Sequence, residues 1–155
     1  MPKARLDAAA LETHEPALMV DLKTLKANAY FGPAQYALLK HAAESPNVER
    51  IFLSPPLKKA LCERAPANDR IWLRKIRPWR GHMEHLHVRL SCPIGSAECG
   101  AQEPPPEGDG CGAELTSWFR DTAWSRQGPT KYVPEKAMRV ESLPEQCQRL
   151  LKDGG

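Results

Sequence analysis

The sequence predicts an α+β fold: a small antiparallel sheet flanked by short helices and long loops. Three observations carry this. Short helical patterns, short strand patterns and loop-like stretches mix along the chain. Fifteen prolines, roughly twice the average share, favour loops over a helix bundle. The segment His85 to Leu90 alternates polar and apolar side chains, the period-2 pattern of a half-buried strand.

The elements follow in order. Gly32-Pro33 opens a helix over Ala34 to Glu44, because proline suits the first helical turn. Tyr36, Leu39 and Ala43 then fall on one face. Ser45-Pro46-Asn47 ends it, and Val48 to Leu53 follows as a strand with Ile51-Phe52-Leu53 as a buried run. Pro55-Pro56 starts a second helix over Leu57 to Arg64. Ile71 to Ile76 reads as a strand of mixed pattern, with Ile71, Leu73 and Lys75 alternating against Trp72, Arg74 and Ile76. Pro78 to Gly81 connects it to the strand His85 to Leu90, whose His85, His87 and Arg89 share one face and Leu86, Val88 and Leu90 the other. Cys92 to Gly112 reads as loop, Glu114 to Arg120 as a short helix, Gln127 to Pro134 as loop and Pro144 to Lys152 as a last helix.

Bulk composition narrows the function classes. A chain of 155 residues with 41% hydrophobic and 26% charged side chains can bury one real core. The net charge of +3 comes from 22 basic and 19 acidic residues, and the basic ones are scattered. That argues against a nucleic-acid partner. No apolar run approaches the length of a membrane-spanning helix. The first 18 residues hold no apolar stretch of signal-peptide length, so no export signal is expected in the chain as given.

Three of the five histidines lie within six residues, His82, His85 and His87 in GHMEHLHVRL. Neutral imidazole donates a lone pair, and i, i+2 spacing on a strand lets two rings approach one ion. The alternative is a polar strand face on the surface. A catalytic zinc usually takes three protein ligands plus water, so further ligands are expected from elsewhere. His14 and Asp21 have an H-x6-D spacing. They read as a solvated histidine and a turn aspartate, because Leu18-Met19-Val20 lacks the glycine of a tight ligand loop.

The five cysteines stand at 62, 92, 99, 111 and 147. No C-x2-C knuckle is present, which disfavours a zinc ribbon. Disulfides fit better and imply an oxidising compartment; buried free thiols are the alternative.

The run KKALCERAPANDRIWLRKIRPWRGHMEHLHVRLSCPIGSAEC and the block GCGAELTSWF resemble the penicillin-insensitive murein endopeptidases, zinc peptidases related to D-Ala-D-Ala dipeptidases and lysostaphin-type enzymes. The likeness runs over residues 18–120, with 121–155 a looser tail of the same domain. By this resemblance His87 is a zinc ligand. His85 is the group that acts as base or stabilises the transition state, and His82 is a further active-site histidine. The resemblance also implies disulfides Cys62–Cys111 and Cys92–Cys99. In the chain-entropy model these would be worth about 4 and about 2.5 kcal/mol. Cys147 would pair with a cysteine of the family's N-terminal region.

That region, with its His and Asp zinc motif, has no counterpart in the chain, so His14 and Asp21 are not its ligands. The chain is therefore expected to represent the C-terminal part of the family domain and to be inactive alone. Where the family reads Trp-Trp-Gly-His-Asp, this sequence has Trp79-Arg80-Gly81-His82-Met83. Glu84 stands three before His87, a spacing the dipeptidases use for their base, and is read here as coincidence. The implied activity is zinc-assisted hydrolysis of D-alanyl–meso-diaminopimelyl cross-links in peptidoglycan, in the periplasm. The alternative is a non-enzymatic fragment that binds zinc or peptidoglycan weakly at most.

Overall fold

A computed structural model describes residues 16–120, 140–146, 148 and 149. The chain enters through a two-stranded antiparallel ribbon, β1 (Val20–Asp21) with β2 (Lys26–Ala27). Asp21 Oδ1 accepts from the Lys23 and Thr24 amides at 2.8 and 3.0 Å, which folds the turn between the strands. These two bonds hold the carboxyl of Asp21 below its ordinary range. Asp21 is thus a turn residue, as read from the sequence. His14 lies outside the described residues.

Helix α1 (Pro33–Glu44) begins at the Gly32-Pro33 signal, and the Gly32 amide donates to Gln35 Oε1 at 3.0 Å. Leu39 and Ala43 are buried. Tyr36 packs edge-on against Trp72, ring centroids 5.5 Å apart. Strand β3 (Val48–Leu53) follows at the expected limits. Helix α2 (Pro55–Arg64) takes both prolines into its first turn, where they lack no hydrogen bond.

The segment read as a strand over Ile71 to Ile76 is instead a 3-10 helix, Ile71–Lys75, followed by a short strand β4 (Ile76–Pro78). Trp72, Leu73 and Ile76 are buried while Ile71 is exposed. That spacing of one, then three, is helical and not alternating. The turn is closed by the Leu73 amide on the Arg70 carbonyl and the Trp72 indole on the Asp69 carbonyl, 2.9 and 3.0 Å.

The main sheet has the order β4-β3-β5, with β5 at His87–Leu90. β5 pairs antiparallel with β3, aligning Phe52 with His87 and Arg50 with Arg89. β4 runs parallel to β3, so the sheet is mixed where a purely antiparallel one was expected. The chain returns to β4 through α2, the crossover that parallel pairing needs. Ile51, Leu53, Leu57, Leu61, Leu73 and Ile76 are fully buried where β3, α2 and the 3-10 helix meet. Each such side chain contributes roughly 1.5–3 kcal/mol. The α+β class holds.

Residues 91–112 contain no helix or strand, and side chains and sulfur bridges fix them instead. Arg74 donates to the carbonyls of Pro105 and Pro106. Cys92 is bonded to Cys99, and Cys62 on α2 to Cys111. Helix α3 (Ala113–Arg120) follows. The expected loop 127–134 lies outside the described residues. Of the expected last helix, Glu145, Gln146, Gln148 and Arg149 are helical, while Cys147 and residues 150–152 lie outside the description.

Candidate metal centre

The three histidines converge. One nitrogen from each of His82, His85 and His87 lies within 4.8 Å of the other two. Ring centroids are 4.5 Å apart for His82 and His87, 4.9 Å for His82 and His85, and 5.2 Å for His85 and His87. Only His87 belongs to β5. His85 lies just before the strand and His82 in the loop that leads to it.

That loop is held by backbone bonds on three sides. Trp79 donates its amide to Leu53 O, Ser54 to His82 O and Met19 to Met83 O, at 2.8, 3.2 and 2.8 Å. Gly81 and His82 both adopt left-handed conformations, φ 67° and 54°. Glycine takes this freely; a histidine pays about 1 kcal/mol or more for it. The turn drives the His82 ring inward, against Phe52 and next to His87.

His82 is 7% exposed. Its Nδ1 lies 2.6 Å from the Arg80 carbonyl oxygen, an atom that only accepts. The proton is therefore on Nδ1. Burial disfavours the imidazolium and lowers the pKa from its ordinary value, partly opposed by that hydrogen bond. Nε2 is left with a bare lone pair, buried and without a partner. A buried unpaired acceptor costs stability unless something else fills it. Arg80 acts here through its backbone, so the side chain at that position does not set the ring. His85 Nδ1 lies 3.0 Å from Glu84 Oε1. The carboxylate accepts, fixes the tautomer and leaves Nε2 of His85 free, the arrangement that histidines of metal sites commonly use.

The donor set suits a borderline ion such as zinc: neutral imidazoles, one already desolvated and unpaired. Among the described residues no carboxylate or thiolate joins the three imidazoles. Trp79 lines a groove with His87; its ring is tilted against Phe52 with centroids 5.3 Å apart, and Trp118 lies 6.3 Å from Trp79. The sequence singles out Glu84 only by its spacing to His87 and gives no sign of its contact with His85. Nor does it single out Arg50, which shares the Phe52 face of β3. Its spacing of two from Phe52 puts it on that face, but the register shift between Val48 and Arg50 leaves its pairing with Arg89 without a sequence signal.

No helix among the described residues is long and apolar enough to cross a membrane. Comparison with known proteins gives a consistent result. A family model described as penicillin-insensitive murein endopeptidase matches residues 1–152. A penicillin-insensitive murein endopeptidase of Pectobacterium atrosepticum is 44% identical over 152 residues, 97% of this chain and 52% of the relative. One from Klebsiella pneumoniae is 49% identical over 123 residues, 79% of this chain and 42% of the relative. One from Escherichia coli is 50% identical over 121 residues, 78% and 42%. The chain spans about half the length of the curated relatives it matches.

Proposed function

The chain belongs to the penicillin-insensitive murein endopeptidase family, and from that membership we propose that it serves hydrolysis of D-alanyl–meso-diaminopimelyl cross-links in peptidoglycan at a zinc centre. The observation that carries the reading is the meeting of three imidazole nitrogens within 4.8 Å, one of them buried and unpaired. His87 is assigned as a zinc ligand, His85 as the proton-handling group and His82 as a further active-site histidine. Two disulfides support an oxidising compartment, the periplasm.

When bound, zinc would polarise the scissile carbonyl and lower the pKa of a bound water. The chain's own residues do the rest. Glu84 holds the Nδ1 proton of His85, so that Nε2 can take a proton from the attacking water and return it to the leaving amine. His82 keeps Nδ1–H on the Arg80 carbonyl and offers its Nε2 lone pair inward. Trp79 and Phe52 form an apolar wall that excludes water and positions the peptide.

A second reading, favoured by the absence of a carboxylate from the imidazole cluster among the described residues, is a non-catalytic role limited to binding zinc or peptidoglycan. Incubation with zinc and purified cross-linked muropeptide dimers separates the two. Monomer release that a chelator stops and His87→Ala removes supports the endopeptidase; it would mean that the three imidazoles complete the site without the missing His and Asp motif, against the inactivity expected from the sequence. Dimer binding without release supports the second reading and overturns the first.

A further inference from the structure

Residues paired directly across a sheet project from the same face. The pairs Phe52–His87, Phe52–Arg77 and Arg50–Arg89 therefore put three guanidiniums on the face that carries His87. Two have carboxylate partners. Arg77 is paired with Glu114, and Arg89 Nε lies 3.2 Å from Glu49 Oε2. Arg50 has only neutral ones: Nη2 donates to the Glu103 carbonyl at 2.9 Å and Nη1 to Gln102 Oε1 at 3.4 Å. Its Nε is buried with no acceptor. No carboxylate pairs with Arg50 among the described residues.

This uncompensated charge borders a groove of about 520 Å³ lined by Arg50, Phe52, Trp79, His87, Arg89 and Gln102. The metal-site histidine and the guanidinium thus share one open cleft with an aromatic wall. Arg50 stands two positions along β3 from Phe52, the partner of His87, a spacing of about 7 Å. An amino-acid residue whose amide nitrogen lies at the histidines can reach that far with its own carboxylate, given the length of the arginine side chain. A planar guanidinium matches a carboxylate better than any neutral group.

We propose that Arg50 is a specificity-determining residue that receives the free carboxylate adjacent to the scissile amide, so that the protein selects peptides in which this carboxylate is not amidated. The inference rests on the endopeptidase reading. Arg50 also tethers the loop at Gln102 and Glu103, so loss of affinity alone would not identify its role; the ratio between two ligands does.

The test is calorimetric titration of the full chain, with chelator present to prevent turnover. The ligands are cross-linked stem-peptide dimers whose carboxylate beside the cross-link is either free or a carboxamide. The free acid is expected to bind wild type at least about tenfold more tightly, the scale of a charge-assisted hydrogen bond. Arg50→Gln should reduce the ratio below about twofold, and Arg50→Lys should retain part of it. Equal affinities in wild type, or a ratio that survives Arg50→Gln, overturn the proposal and leave the endopeptidase reading standing. A carboxylate preference in a protein that never releases monomer sinks only the endopeptidase reading. Failure to bind either dimer overturns the proposal, while monomer release in the presence of zinc decides the endopeptidase reading separately.

Discussion

The Nδ1–H of His82 donates to the carbonyl oxygen of Arg80, 2.6 Å away, across a turn in which Gly81 and His82 are both left-handed. The bond decides which ring nitrogen faces the other imidazoles. Long-range proton–nitrogen NMR should therefore show His82 as the Nδ1–H tautomer, with a bare Nε2 whose resonance moves on addition of zinc. Because burial lowers its pKa, the ring should remain neutral at a pH where ordinary imidazoles have begun to protonate. A protonated Nε2 in the neutral ring would refute this geometry.

The two sulfur bridges differ in what they constrain. Cys62–Cys111 spans 49 residues of sequence and Cys92–Cys99 spans 7. The longer bridge removes more freedom from the unfolded chain, about 4 against about 2.5 kcal/mol. Cys62 and Cys111 also pack against the core. In urea unfolding of oxidised protein, the Cys62→Ala/Cys111→Ala pair should lose more stability than Cys92→Ala/Cys99→Ala. Thiol titration of denatured, unreduced protein should find one thiol, that of Cys147, which lies outside the described residues. Five thiols, or the reverse order of stabilities, would count against this account.

Lys58 is fully buried on α2, and its Nζ donates to the carbonyls of Leu73 and Asp109, both at 2.7 Å. A neutral amine has two N–H groups, which these two acceptors match. Burial, with Arg77 and Arg70 nearby and only Asp109 opposing, brings its pKa down to about 7. Between about pH 7 and the ordinary lysine value of 10.5, the unfolded chain holds more protons than the folded one. Stability should therefore rise with pH across that window, by up to about 1.4 kcal/mol per unit from this group, and be lost again as pH falls towards 7. Lys58→Met should flatten the slope and destabilise most at pH 10, where two carbonyls lose a donor at about 1–3 kcal/mol each. Denaturation midpoints measured at pH 7 and 9.5 check this; a slope unchanged by the substitution would rule Lys58 out as its source.

What could be read from the sequence follows from where local chemistry decides structure. Gly32-Pro33 and Pro55-Pro56 mark helix starts because proline fits only a first turn, and α1 and α2 begin there. β3 was legible because Ile51 and Leu53 lie in the core. Ile71–Lys75 is helical despite its strand-like pattern because five residues fit either period, and only burial of the adjacent Trp72 and Leu73 decides it. The strand of the histidines begins two residues later than alternation suggests. His85 lies outside β5, yet its ring still meets His87 because the His82 turn folds the chain back. Positive φ at a histidine has no sequence signature, so the burial of His82 was not foreseeable. The Arg50 groove depends on cross-strand register, which pattern alone leaves open.

Glu84 holds the ring of His85 in place. Its Oε1 accepts from His85 Nδ1 at 3.0 Å, although His85 itself is half exposed. Glu84 touches no other member of the cluster in the hydrogen bonds described, so it acts through His85 as a positioning residue. In the proposed reaction His85 becomes an imidazolium transiently, and an adjacent carboxylate both holds its tautomer and favours that charge. Glu84→Gln keeps a neutral acceptor but loses the charge; Glu84→Ala loses both. With cross-linked dimers as substrate, kcat should fall in the order wild type, Gln, Ala, with the Ala variant about 10- to 100-fold down, and KM should change little. Zinc affinity should stay within about twofold of wild type if His85 carries the proton and does not bind the ion. Unchanged kcat in both variants would remove Glu84 from the mechanism, and a loss of zinc affinity parallel to the loss of kcat would make His85 a ligand instead of a base.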